Sequence, residues 1–105
     1  MITRMWRGWT APADAEAYER FLRTKLFPEV AGLPGFVGAR ILRRRLEDEE
    51  EFVTLVTFES LDAVRAFAGD DYETPVIEPD AQRLLSRYEG RALHYEAVDF
   101  SAEAA

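Results

Sequence analysis

The chain has 105 residues, 48% hydrophobic and 12% aromatic against 31% charged, which is enough for one core of about 13 Å radius of gyration and too apolar for a disordered segment. Its 13 basic and 20 acidic side chains give −7, which argues against nucleic-acid partners, since their affinity rests largely on basic groups displacing counterions. Zero cysteines and one histidine, His94, exclude disulfides, thiolate chemistry and any multi-histidine metal site within one chain; no run suits a signal peptide or a membrane span, so a cytoplasmic location is expected.

Ile2–Thr10 reads as a first strand, with Thr3, Met5, Arg7 and Trp9 on one face and Ile2, Arg4, Trp6 and Gly8 on the other. A tryptophan on each face means that neither suits open water. Pro12, followed by Asp14 and Glu16, marks a helix start, and Ala15, Tyr18, Phe21, Leu22 and Leu26 recur at helical spacing as a core-facing stripe. Pro28 is expected to kink or end this helix. Gly32, Pro34 and Gly35 make a turn into a second strand, Phe36–Leu46. The charged block Arg43–Glu51 reads as the solvated tip of a hairpin. In the next strand Phe52, Val56 and Phe58 point one way and Val53 and Leu55 the other, so both faces call for burial.

Ser60 supplies a cap for a helix whose apolar face is Leu61, Val64, Phe67 and Ala68, with Asp62 at its positive end and Gly69 to terminate it. Asp70–Glu78 is irregular. Pro79–Arg87 reads as a short helix and Tyr88–Val98 as a fourth strand, with Ala92, His94, Glu96 and Val98 on one face and Leu93, Tyr95 and Ala97 on the other. Residues 1–100 form one domain and 101–105 a tail. The order strand, helix, strand, strand, helix, strand predicts an α+β, ferredoxin-like split βαβ fold, a four-stranded antiparallel sheet with helices on one face. The uncovered face, roughly 400 Å² from strand spacing and length, predicts a homodimer, sheet face to sheet face.

These residues carry a family likeness. The run Phe52–Glu73, with Leu84–Tyr88, His94–Glu96 and the opening Met5–Thr10, is similar to the antibiotic biosynthesis monooxygenase family of dimeric α/β barrels. The resemblance covers nearly the whole chain. It implies a mostly apolar pocket between sheet and helices in each subunit, and either oxygenation of phenolic or quinol-like aromatics without a cofactor or, in other members, heme cleavage. Heme-cleaving relatives use an asparagine, a tryptophan and a helical histidine. This chain has no asparagine, its only histidine falls on a predicted strand, and both tryptophans lie in the first strand, so no cofactor and no metal are expected. The cofactor-free oxygenases also place an asparagine near the site, and here the chain departs from them.

What remains for chemistry is a base beside an apolar pocket, because a phenol or hydroquinone that loses a proton becomes electron-rich enough to react with oxygen. His94 is the expected base, Tyr72 a hydrogen-bond partner for a substrate oxygen and Arg4 the stabiliser of the anion. Trp6, Trp9, Phe58 and Phe67 are expected to hold the aromatic ring. The expected partners are a second copy of the chain and a small aromatic molecule. A non-catalytic ligand-binding or stress-response module is the alternative, with His94 and the tryptophans then serving packing alone.

Overall fold

The computed structural model describes residues 1–102. Strand β1 (Ile2–Thr10) runs through the middle of the sheet and pairs antiparallel with β3 (Glu50–Phe58) along its whole length, from Ile2 opposite Phe58 to Thr10 opposite Glu50. The far edge of β3 carries β2 (Phe36–Arg45), with an irregularity between Phe36 and Gly38. On the free edge of β1, β4 (Leu85–Tyr88) pairs with Gly8–Thr10 and β5 (Leu93–Glu96) with Ile2–Met5. The fold is therefore α+β and ferredoxin-like, with the sheet order β2-β3-β1 followed by β4 and β5 sharing one position.

That shared position corrects the expectation of four strands. Tyr88–Val98 does not run as one strand, because Glu89–Ala92 loops away from β1 and leaves Trp6 and Arg7 without a strand neighbour on that side. Trp6 fills the break, its indole N–H donating to the carbonyl of Glu89 at 2.8 Å, while Glu89 N–H donates to the carbonyl of Arg7 at 2.9 Å. Both bonds satisfy backbone groups that a continuous ladder would have paired. The helix before it is also shorter than expected: α4 spans Pro79–Leu84, and Leu85 has already turned into extended backbone.

The first helical layer starts at a 3₁₀ turn, Pro12–Asp14, and continues as α1 (Ala15–Phe21), a wide π turn over Leu22–Leu26 and α2 (Phe27–Ala31). Pro28 does not end it. The wide turn, in which Phe27 N–H reaches back to the carbonyl of Leu22, takes up the distortion that a proline ring imposes on the preceding turn. Helix α3 (Leu61–Ala68) is capped as expected, Ser60 Oγ accepting from Ala63 N–H at 3.2 Å and Gly69 adopting φ +86°. Its buried face is Ala63 and Val64, however, and Leu61 is exposed.

All helices pack on the face of β1 and β3 that carries Arg4, Phe52, Thr54, Val56 and Phe58. Tyr18 sets its ring edge-on to Phe52 with centroids 4.9 Å apart, and Phe58 stacks on Phe67 at 5.9 Å. The hairpin joining β2 to β3 corrects a second expectation. Its turn, Arg44 and Arg45 are open to solvent, whereas Glu50 and Glu51 are buried: Arg43 bonds Glu19, Glu50 and Glu16 with its guanidinium over the Phe52 ring, and Arg44 bonds Glu51. These two glutamates are buried because each is paired across the strands, and Arg43 is also held against α1.

Candidate functional site

Between the sheet and the helices lies a narrow cavity of about 40 Å³, lined mainly by Trp6, Phe21, Leu22, Phe67 and Ile77. Its walls come from β1, β3, α1, α3 and the irregular segment 75–78. Its volume holds about as much as a few water molecules, so an aromatic guest must part these walls. Two charged residues border it, Arg4 and Glu78.

Arg4 is placed by strand alternation. In β1 it points to the helix side, beside Val56 of β3 on one flank and His94 of β5 on the other. Its side chain is buried, 5% exposed, and makes no ion pair with a carboxylate among the described residues. Instead Nη1 donates to the carbonyl of Tyr72 and to Nε2 of His94 at 3.0 Å, Nη2 donates to the carbonyl of Thr74 at 3.3 Å, and the guanidinium carbon stands 5.5 Å from the centre of the Phe67 ring. Burial lowers its pKa to about 10, so it remains a cation at neutral pH. A guanidinium has five N–H groups. The one on Nε and one on Nη2 are left over from these bonds.

His94 faces the helix side, and its environment fixes its protonation. Guanidinium N–H groups only donate, so Nε2 accepts and the ring proton is on Nδ1. Burial first, and the neighbouring Arg4 charge second, push its pKa below the ordinary 6.5, with Glu73 opposing. The imidazole is neutral at pH 7. Tyr72 meets it edge-on, ring centroids 4.9 Å apart.

The structure thus brings His94, Tyr72 and Arg4 together, but of the three only Arg4 lines the cavity; His94 and Tyr72 border a separate, open groove. Of the four aromatic residues expected to hold a ring, Trp6 and Phe67 line the cavity. Phe58 is fully buried behind Phe67. Trp9 is on the opposite sheet face, because it is an odd number of residues from both Arg4 and Trp6. There it is covered by Arg87, 3.8 Å from its ring centre, and Arg7, at 5.2 Å.

Two residues that sequence reasoning left out belong to the site. Tyr18 read as core stripe, and the polar tip of its ring was the signal that it borders a cavity; burial pushes its phenol well above the usual range, so it stays protonated. Glu78 read as part of an irregular polar segment, and nothing in its spacing distinguishes it. The residues do not suit heme: the sole histidine offers Nε2 to a guanidinium, whose charge would oppose a metal ion brought there.

A family model described as antibiotic biosynthesis monooxygenase matches residues 1–72. Among solved structures the chain is similar to SnoaB, a cofactor-independent oxygenase from Streptomyces nogalater, at 31% identity over 96% of each chain with a TM-score of 0.58. It shares its fold with the heme-degrader MhuD from Mycobacterium tuberculosis, at 22% identity over 97% of this chain and 100% of that one and a TM-score of 0.60. The same holds for the monooxygenase from the gene ActVA-Orf6 of Streptomyces coelicolor in complex with nanaomycin D, at 16% identity over 95% and 92% of the two chains and a TM-score of 0.57. The curated proteins contain no match.

Proposed function

Because the chain belongs to the antibiotic biosynthesis monooxygenase family, whose model spans residues 1–72, we propose that it is a cofactor-independent monooxygenase of a small phenolic or quinol-like aromatic. The observation that carries this reading is Arg4, a buried cation at the wall of an apolar cavity with no carboxylate paired to it among the described residues. Burying a charge without a counter-ion is costly. A phenolate oxygen that takes the free N–H groups of Arg4 removes that cost, and the same charge lowers the pKa of a phenol from about 10 toward neutrality.

The substrate supplies the electrons. Its phenol gives up a proton, and a ring carbon ortho or para to the oxyanion bonds to oxygen. The resulting hydroperoxide then loses water, leaving a carbonyl, so that one oxygen atom stays in the product and the other leaves as water. Arg4 holds the oxyanion, and Trp6 and Phe67 flank the ring. His94 acts through Arg4: as a neutral acceptor it keeps Nη1 turned away from the cavity, and because its one acceptor nitrogen is given to Arg4 the released proton leaves to solvent. Tyr72 holds Arg4 by its backbone carbonyl. A second copy of the chain covers the open sheet face.

Oxygen uptake with naphthalene-1,4-diol, corrected for its autoxidation, tests the reading. Purified, chelator-treated protein is expected to accelerate uptake, and Arg4→Met to lower the catalysed rate by about 100-fold, the order lost with an oxyanion donor. Uptake that is absent, or indifferent to Arg4→Met, contradicts it.

A further inference from the structure

The cavity is bordered by a second charge, Glu78. Glu78 precedes α4, yet its side chain makes no capping bond to that helix. Its Oε2 is buried with no aligned hydrogen-bond donor among the described residues, although Lys25 Nζ stands 3.2 Å away and holds the group as an ion pair. Arg4 and Glu78 are the charged members of the cavity lining, and they do not pair with each other: the ion pair of Glu78 is with Lys25 on the first helical layer. An apolar slot with a cation and an anion that do not meet suits a guest that separates them.

We propose that Glu78 is a substrate-binding residue that selects aromatics with a second hydroxyl, remote from the oxygen taken by Arg4. This rests on the phenolic reading of the site. A hydroxyl donating to a carboxylate makes a charge-assisted bond, and a site built around such a bond rejects an analogue that lacks the proton far more strongly than one that differs only in bulk. Lys25 holds the carboxylate in place through their ion pair, so it is a positioning residue for the same contact.

Anaerobic calorimetry with naphthalene-1,4-diol and its monomethyl ether, 4-methoxynaphthalen-1-ol, tests this without turnover. The native protein is expected to bind the diol about tenfold more tightly than the ether, the scale of one charge-assisted bond. Glu78→Ala brings the diol down to the affinity of the ether and leaves the ether unchanged; Glu78→Gln, which keeps volume and a neutral acceptor, falls between. Lys25→Met weakens the diol alone. A preference that survives Glu78→Ala, or a loss shared equally by both compounds, overturns the assignment. If Arg4→Met abolishes binding of both while Glu78→Ala changes nothing, the phenolic reading stands and the role of Glu78 falls. If the native protein binds neither compound, the phenolic reading fails and takes this inference with it.

Discussion

Arg4 behaves unlike an arginine kept for stability. Structural arginines of this chain pair with carboxylates, as Arg43 does with three glutamates, whereas Arg4 is held by two backbone carbonyls and an imidazole. Arg4→Met removes those bonds but also the desolvated charge, and the two effects offset. Thermal or urea unfolding is expected to place the variant within about 1 kcal/mol of the native protein, even though its oxygen uptake collapses; a loss of several kcal/mol would mark Arg4 as structural. His94 gives a pH signature. Its folded pKa lies below the ordinary 6.5 because of burial and then Arg4. Below pH 6.5 the unfolded chain therefore binds more protons than the folded one, and the stability contributed by neutral His94, full above that pH, is lost as pH falls through the lowered value. The stability difference between the native protein and His94→Gln is expected to shrink as the pH is taken from 7.5 to 5. A difference that stays flat contradicts the depressed histidine.

At the scale of elements, the joint that seats α3 on the sheet is the most sensitive to change. Gly35 has φ +86°, a Cβ there would come 2.5 Å from Cβ of Ala63, and its carbonyl accepts from Glu59 N–H at 2.8 Å. Gly35→Ala combines a strained backbone with an overpacked contact, and equilibrium unfolding should register a loss of about 2–4 kcal/mol; an unchanged midpoint would show that the joint yields. The same scale shows what was legible in the sequence. β1, β3 and α3 were readable from alternation, helical spacing and the Ser60 cap, because each signal is local. The break in the last strand was not, because it depends on Trp6 reaching the carbonyl of Glu89, a contact between residues far apart in sequence. Of the two outcomes expected at Pro28, an end to the helix did not occur, and the distortion is taken up by the wide turn before it, whose geometry sequence does not display. Arg4 and Trp6 were readable as neighbours on one sheet face, which turns out to line the cavity, through their shared parity on β1. Trp9 has the opposite parity, so the strand pattern itself separates it from the cavity, whereas Glu78 is in an irregular segment where no period points a side chain.

The whole molecule presents one sheet face to its helices and leaves the other uncovered. Cross-strand register places Leu42 beside Val53, and Arg40 beside Leu55, which is next to Met5 and then Leu93. Leu42, Leu93 and Tyr95 are among the large exposed apolar side chains, and burying such a face against its own copy removes it from water. Sedimentation velocity at micromolar concentration is expected to give a dimer, and Leu42→Glu with Leu93→Glu a folded monomer. A native monomer would contradict the dimer expected from the open face, although the cavity belongs to a single chain. At this scale too, the net charge of −7 bears on solubility and partners rather than on the buried cation at which the chemistry is placed.

The central claim is oxygenation by the protein and its substrate alone. The most direct measurement is mass spectrometry of the product formed from naphthalene-1,4-diol under ¹⁸O₂ by chelator-treated protein. Hydroxynaphthoquinone with one labelled oxygen is expected, formed without added metal, flavin or heme and lost in Arg4→Met. Unlabelled product, or label incorporated only after a cofactor is supplied, would contradict it.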